Sequence, residues 1–113
     1  MTPAAFRKLA LSLDETTEQS HMNHPDFRRN GKIFATLGYP DKKWAMVKLP
    51  PEQQANFVQT FPNVFIPVKG KWGLQGATSV LLSAAEPAIV LRALKEAWTI
   101  AVAKPARKKR RGV

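Results

Sequence analysis

The residues with the widest chemical range are two histidines, His21 and His24, with Glu18 and Asp26 close by in the chain. Imidazoles beside carboxylates suggest a metal site or an acid–base pair. The spacing matches no standard zinc pattern, and on a continuous strand two histidines three apart point to opposite faces. A structural polar network is the expected role, with Asp26 orienting His24 or bonding the backbone at the turn after Pro25. The segment Gly70-Lys71-Trp72-Gly73-Leu74-Gln75-Gly76 has the glycine density of a phosphate cradle. It lacks the Gly-Lys-Ser/Thr ending and leads into a strand rather than a helix N-terminus. The chain has no cysteine, which excludes disulfides, thiolate metal sites and cysteine nucleophiles. No serine occupies a nucleophile-elbow context, and the eight acids are scattered rather than paired. The expectation is a non-enzymatic protein without catalytic residues, metal, cofactor or small-molecule substrate.

Positive charge is the stronger chemical signal. Eighteen Lys and Arg stand against eight Asp and Glu in 113 residues, a net charge of +10 that favours a polyanionic partner. Six of those bases (Lys104, Arg107, Lys108, Lys109, Arg110 and Arg111) fall in the last ten positions with no acid among them. The body, residues 1–103, keeps twelve bases and eight acids, a net charge of +4. Seven of its bases cluster at three connections: Arg28, Arg29 and Lys32 around Asn30-Gly31, Lys42 and Lys43 after Pro40-Asp41, and Lys69 and Lys71 around Gly70 beside Trp72. Hairpin tips project from a sheet and are suited to follow a phosphate backbone while the core stays packed. The bland alternative is that these lysines are simply solvated, as turn lysines usually are. Trp44 and Trp72 are expected in the core, with base stacking as the alternative for opened strands.

These positions need a scaffold. With 44% hydrophobic residues, the chain has the composition of one globular domain. Thr2-Pro3 opens a first helix, with Phe6, Leu9, Ala10 and Leu13 along one face. Short β-like runs follow at 16–22, 25–29, 32–37 and 44–49, and Asn30-Gly31 marks a type I′ hairpin. A second helix begins at Pro50-Pro51, carries Gln54, Phe57, Val58 and Phe61 on one side, and stops at Pro62. Strands at 64–68 and 77–82 are joined by the glycine-rich stretch. A long last helix runs from about 85 to 103 with Leu91, Leu94, Trp98 and Ala101 as its buried stripe. Ser83 and Glu86 make a capping-box pattern, with a start at Pro87 as the alternative. Lys104-Pro105 stops the helix, and 104–113 reads as a disordered basic tail. The N-terminus lacks a secretory pattern, and no run approaches the roughly 18 apolar residues of a membrane span. The tail also has too few apolar groups to insert into a membrane. The expected location is the cytoplasm.

His24-Pro25-Asp26-Phe27-Arg28, Gly31-Lys32-Ile33-Phe34-Ala35-Thr36-Leu37, Met46-Val47-Lys48-Leu49 ahead of Pro51-Glu52-Gln53-Gln54, and then Trp72-Gly73 closely resemble the MmcQ/YjbR family. The resemblance covers Phe6 to about Trp98. It implies an α+β, two-layer fold in the order α-β-β-β-α-β-β-α, an antiparallel sheet with helices packed on one face. It also implies a double-wing mode of DNA binding, with two β-structured wings presenting basic residues.

Two functions follow as expectations. In the first, a duplex-DNA-binding module uses Arg28, Arg29, Lys32, Lys42, Lys43, Lys69, Lys71 and Trp72, while Arg107, Lys108, Lys109, Arg110 and Arg111 add sequence-independent affinity. In the second, the chain is a protein- or peptide-binding adaptor of secretion-chaperone-like fold, with Phe34, Trp44 and Met46 as an exposed apolar patch and the tail merely solubilising.

Overall fold

The computed structural model describes residues 1–39 and 41–103, with side chains through Ala101. The expected Lys104–Arg111 contacts lie outside the described residues. Helix α1 (Pro3–Leu11) starts where the sequence reading puts it: the Thr2 hydroxyl oxygen accepts the Ala5 N–H at 3.1 Å, and Pro3 occupies the first turn. Four strands follow, β1 (Thr17–His21), β2 (His24–Arg29), β3 (Lys32–Leu37) and β4 (Trp44–Lys48). After α2 (Pro51–Thr60) come β5 (Phe65–Pro67), a one-turn helix α3 (Lys71–Leu74), β6 (Ala77–Leu81) and the long α4 (Pro87–Ala103). The expected order of helix, strand run, helix, two strands and helix is the one observed. No helix among the described residues is long and apolar enough to cross a membrane.

The strands form one six-stranded antiparallel sheet, ordered β1-β2-β3-β4-β6-β5. Helices cover one face. Phe6 of α1, Phe27, Phe34, Val47, Phe65 and Val80 of the sheet, and Val90 and Leu94 of α4 meet there, all fully or almost fully buried. Burying so many large apolar side chains, each contributing roughly 1.5–3 kcal/mol, is the main force holding the two layers together.

Local chemistry explains most boundaries, and four expectations need correction. The last helix starts at Pro87, where the missing N–H costs nothing, while Ser83 belongs to a 3-10 turn, Leu82–Ala84. Its buried stripe is Val90, Ala93, Leu94, Ala97 and Ala101; Leu91 is only half-buried. The small Ala93 and Ala97 let the helix sit close on the sheet. Phe34 is a core residue rather than part of an apolar patch. Phe27 opposes Ala35 and Arg28 opposes Ile33, so Phe34 is the extra residue of a β-bulge. The bulge turns both Phe34 and Ala35 into the core, against strict alternation. Finally, the glycine-rich connection holds the helical turn α3, and Trp72 on it is exposed rather than packed in the core.

Candidate functional site

Residues directly opposite in an antiparallel register share a face. Away from the helices, the register therefore builds rows across the sheet: Thr17, Arg28 and Ile33 on β1–β3, and Lys48 with Ala77 on β4 and β6; then, across all six strands, Gln19, Asp26, Thr36, Met46, Ser79 and Ile66. This open face is the candidate site. It holds a trough of about 310 Å³. Ile33, Thr36, Met46 and Ser79 line its floor, with His21 and His24 toward β1 and Lys48, Val68 and Trp72 toward β6. Met22 (86% exposed), Tyr39 (57%) and Trp72 (64%) form an apolar, partly aromatic rim.

The histidines share a face after all. Met22 and Asn23, at φ of 51° and 67°, make a two-residue hairpin turn, so His21 sits directly across from His24. Asp26 bonds His21 rather than His24: its Oδ2 lies 2.7 Å from His21 Nδ1. Arg28 clasps the same carboxylate from the other side, with Nε donating to Oδ1 at 2.7 Å and Nη2 to Oδ2 at 3.1 Å. Asp26 is 0% exposed. The Arg28 hydrogen bonds hold its carboxyl below the usual carboxylate range; burial opposes this, and His21 adds to it. The same bonds raise the Arg28 guanidinium. No group of three or more metal-ligating side chains occurs among the described residues.

Charge on this face is one-sided. Asp26 is its acid and is neutralised by its own partners. Glu18 lies opposite Phe27 on the helix side, where it pairs with Arg7 of α1 at 2.9 Å. Lys48 carries positive charge in the middle of the face. Partial removal from water holds its ammonium below the ordinary value, and the charge of Lys32 adds to the effect. Lys48 and Trp72 also wall a second, adjoining recess of about 160 Å³, shared with Gln75 and Ala77.

The mount of Trp72 is rigid, although the ring itself is exposed. A Cβ on Gly73 would stand 1.6 Å from the Val68 carbonyl oxygen, so only glycine lets α3 lie this close to the end of β5. Gly76, at φ +112°, makes the same close approach to the Leu49 carbonyl. The Gln54 amide of α2 then clamps the segment, donating to the carbonyl oxygens of Gly73 at 2.9 Å and Ala77 at 3.1 Å and to the Thr78 hydroxyl at 3.2 Å.

The structure thus divides the basic residues singled out in the sequence. Arg29 is withdrawn: it is 8% exposed, donates to the Trp98 carbonyl and to Glu15, and stacks on the Trp98 ring. Arg28 faces the open side with Asp26 as partner. Lys32 lies within electrostatic reach of Lys48. Lys42 and Lys43 are exposed in the β3–β4 turn beyond Tyr39, and Lys69 and Lys71 are exposed next to Trp72. Sequence reasoning missed Lys48, Tyr39 and Met22. Lys48 had a findable signal: it is the one charge in the otherwise apolar run Trp44–Leu49.

An antiparallel sheet with helices packed on one face is the architecture that the family resemblance implies. The chain belongs to the YjbR family, whose model matches residues 11–100. The crystal structure of Deinococcus radiodurans protein DR2400, which carries a DUF419 domain, shares this fold with a TM-score of 0.74. The match has 15% identity and covers 96% of this chain and 83% of that one. No curated protein matches the chain.

Proposed function

We propose that this protein is a non-enzymatic nucleic-acid-binding module of the cytoplasm that engages its ligand through the open face of the sheet. The observation that carries this reading is the pairing, on one face, of lysine charge with exposed aromatic rings: Lys48 in the trough wall, and Trp72 and Tyr39 on the rim. Cations supply phosphate contacts, and aromatic rings supply base contacts. Lys69 and Lys71 extend the positive surface past Trp72. The DNA binding implied by the family resemblance agrees in ligand class, although Arg29 drops out of the wing. The basic segment 104–113 adds affinity that is independent of sequence.

The test is fluorescence anisotropy of labelled nucleic acid against the full chain and a 1–103 truncation over a salt series. Among the described residues the buried core runs from Phe6 to Ala101, all of which the truncation retains. Binding by the truncation that weakens linearly in log K against log salt supports the reading. Binding by the full chain alone assigns the affinity to the tail and refutes a role for the face.

The exposed apolar rim favours one second reading, a protein- or peptide-binding adaptor. Its patch is Met22, Tyr39 and Trp72, not the expected Phe34, Trp44 and Met46: Phe34 and Met46 are buried and Trp44 is half-buried. Such an interface would be insensitive to salt.

A further inference from the structure

We infer that the trough is a seat for unpaired nucleotides, so that the ligand of this face is single-stranded nucleic acid rather than the outside of a duplex. This rests on the nucleic-acid reading above and specifies it.

Three features of the trough point to an unstacked base. Its volume, about 310 Å³, is that of a small-molecule recess rather than a shallow contact surface. A duplex presents phosphates and base edges to a protein, whereas a recess with exposed rings at its rim needs an exposed base face. Both Trp72 and Tyr39 offer such a face, and the perpendicular, edge-type contact of Tyr39 with His24, centroids 5.7 Å apart, leaves much of the tyrosine ring open. The floor is apolar or small and polar (Ile33, Met46, Thr36 and Ser79), which suits a flat heteroaromatic ring with a few hydrogen-bonding edges.

Lys48 supplies the second half of the recognition. It borders both the trough and the smaller recess beside Trp72, Gln75 and Ala77. A base in the trough and its neighbour at the smaller recess would place their linking phosphate at this ammonium. Lys48 is exposed and lies within reach of the charge of Lys32, so an anion there is favoured by charge. The clamp of α3 by Gln54 and the two close glycine contacts fixes the backbone that carries Trp72 before the ligand arrives, which lowers the ordering cost of binding.

The experiment compares a short thymidylate oligomer with a blunt hairpin duplex of equal phosphate number. Affinity is read by anisotropy at a salt concentration high enough to suppress the tail, with the Trp72 indole and Tyr39 ring resonances followed by NMR. The expected result is preference for the single strand and shifts of both resonances with the oligomer alone. Trp72→Ala and Lys48→Ala should each weaken the oligomer about tenfold and leave the duplex unchanged. Trp72→Phe should keep most of the affinity. Because Trp72 and Lys48 are exposed, these substitutions leave the core intact, and unchanged circular dichroism checks that. Equal or better duplex binding, with Trp72→Ala without effect, overturns the seat while leaving nucleic-acid binding standing. Binding of neither probe overturns both.

Discussion

Arg29 lies over the indole of Trp98, its guanidinium carbon 3.4 Å from the ring centroid. The two residues are 69 positions apart, and their contact joins the end of β2 to α4 across the covered side of the sheet. The guanidinium also donates to the Trp98 carbonyl at 3.2 Å and to Glu15 at 3.3 Å, while Trp98 Nε1 donates to the Asp14 carbonyl at 2.8 Å. A cation so enclosed is structural, whatever its position beside a hairpin tip suggests.

Arg29→Ala is therefore expected to act on stability and not on ligand affinity. Loss of the stack and of the hydrogen bonds should cost about 2 kcal/mol, a fall in Tm on the order of 10 °C. Arg29→Lys should recover little, because an ammonium cannot reproduce the planar stack and fork. Thermal unfolding and anisotropy on the same samples decide the matter. Unchanged Tm with weakened binding would return Arg29 to the interface.

The buried Asp26 makes a second stability element, and a pH-dependent one. Its carboxyl titrates below the ordinary 3.8 in the folded protein because Arg28, and then His21, bond the charged form. Between those two values the unfolded chain binds more protons than the folded one, so stability falls as pH falls. The contribution is fully present above the unfolded value and is lost as pH drops through the depressed folded value. Asp26→Asn should lose this segment of the acid-denaturation curve. At neutral pH the variant should be about 2 kcal/mol less stable, short of the roughly 3–5 kcal/mol of a fully enclosed pair because Arg28 and His21 can rehydrate. Identical acid-unfolding profiles for the two proteins would refute it.

What the sequence made legible was what its local chemistry determines. Thr2-Pro3 caps a helix and Asn30-Gly31 turns a hairpin at φ of 55° and 75°, each through interactions within a few residues. The candidate site was less legible because its parts meet through register. The Met22-Asn23 turn places a methionine at positive φ, where no residue signal marks it, and without that turn His21 and His24 read as opposite-facing. The bulge at Phe34 breaks the alternation that sorts faces. Arg29 reads as a wing residue until Trp98 is brought to it. The family blocks were legible throughout, since they run through the elements themselves.

The close packing of α3 gives a third prediction. Gly73→Ala forces a methyl into the Val68 carbonyl, and Gly76→Ala adds backbone strain at φ +112° to a clash with Leu49. Each should cost roughly 4 kcal/mol or displace α3 outright. Gln54→Leu, which removes the clamp, should cost less, about 1 kcal/mol for the lost amide hydrogen bonds, because the Gly76 and Val68 N–H groups still donate to the Gly73 and Ala77 carbonyls. If α3 is the mount of Trp72, tryptophan fluorescence and susceptibility to proteolysis near Leu74 should change in all three variants. Wild-type behaviour in Gly73→Ala would mean that α3 does not pack on β5 as described.

Salt dependence separates lysines that meet phosphate from lysines that are merely solvated. A phosphate contact to a single strand contributes roughly 0.7 to the slope of log K against log salt, and its removal lowers the slope by that amount. In the 1–103 background, Lys48→Ala should lower the slope by about 0.7 and weaken binding at every salt concentration. Lys42 and Lys43 sit in the β3–β4 turn, where Asp41 accepts the Lys43 backbone N–H at 2.8 Å and puts a carboxylate beside them. Their side chains do not border the trough. The double change Lys42→Ala with Lys43→Ala should therefore leave the slope nearly unchanged, with only a small loss of affinity from reduced long-range attraction. The opposite ranking, a steep loss for the turn lysines and none for Lys48, would move the interface from the sheet face to the hairpin tips.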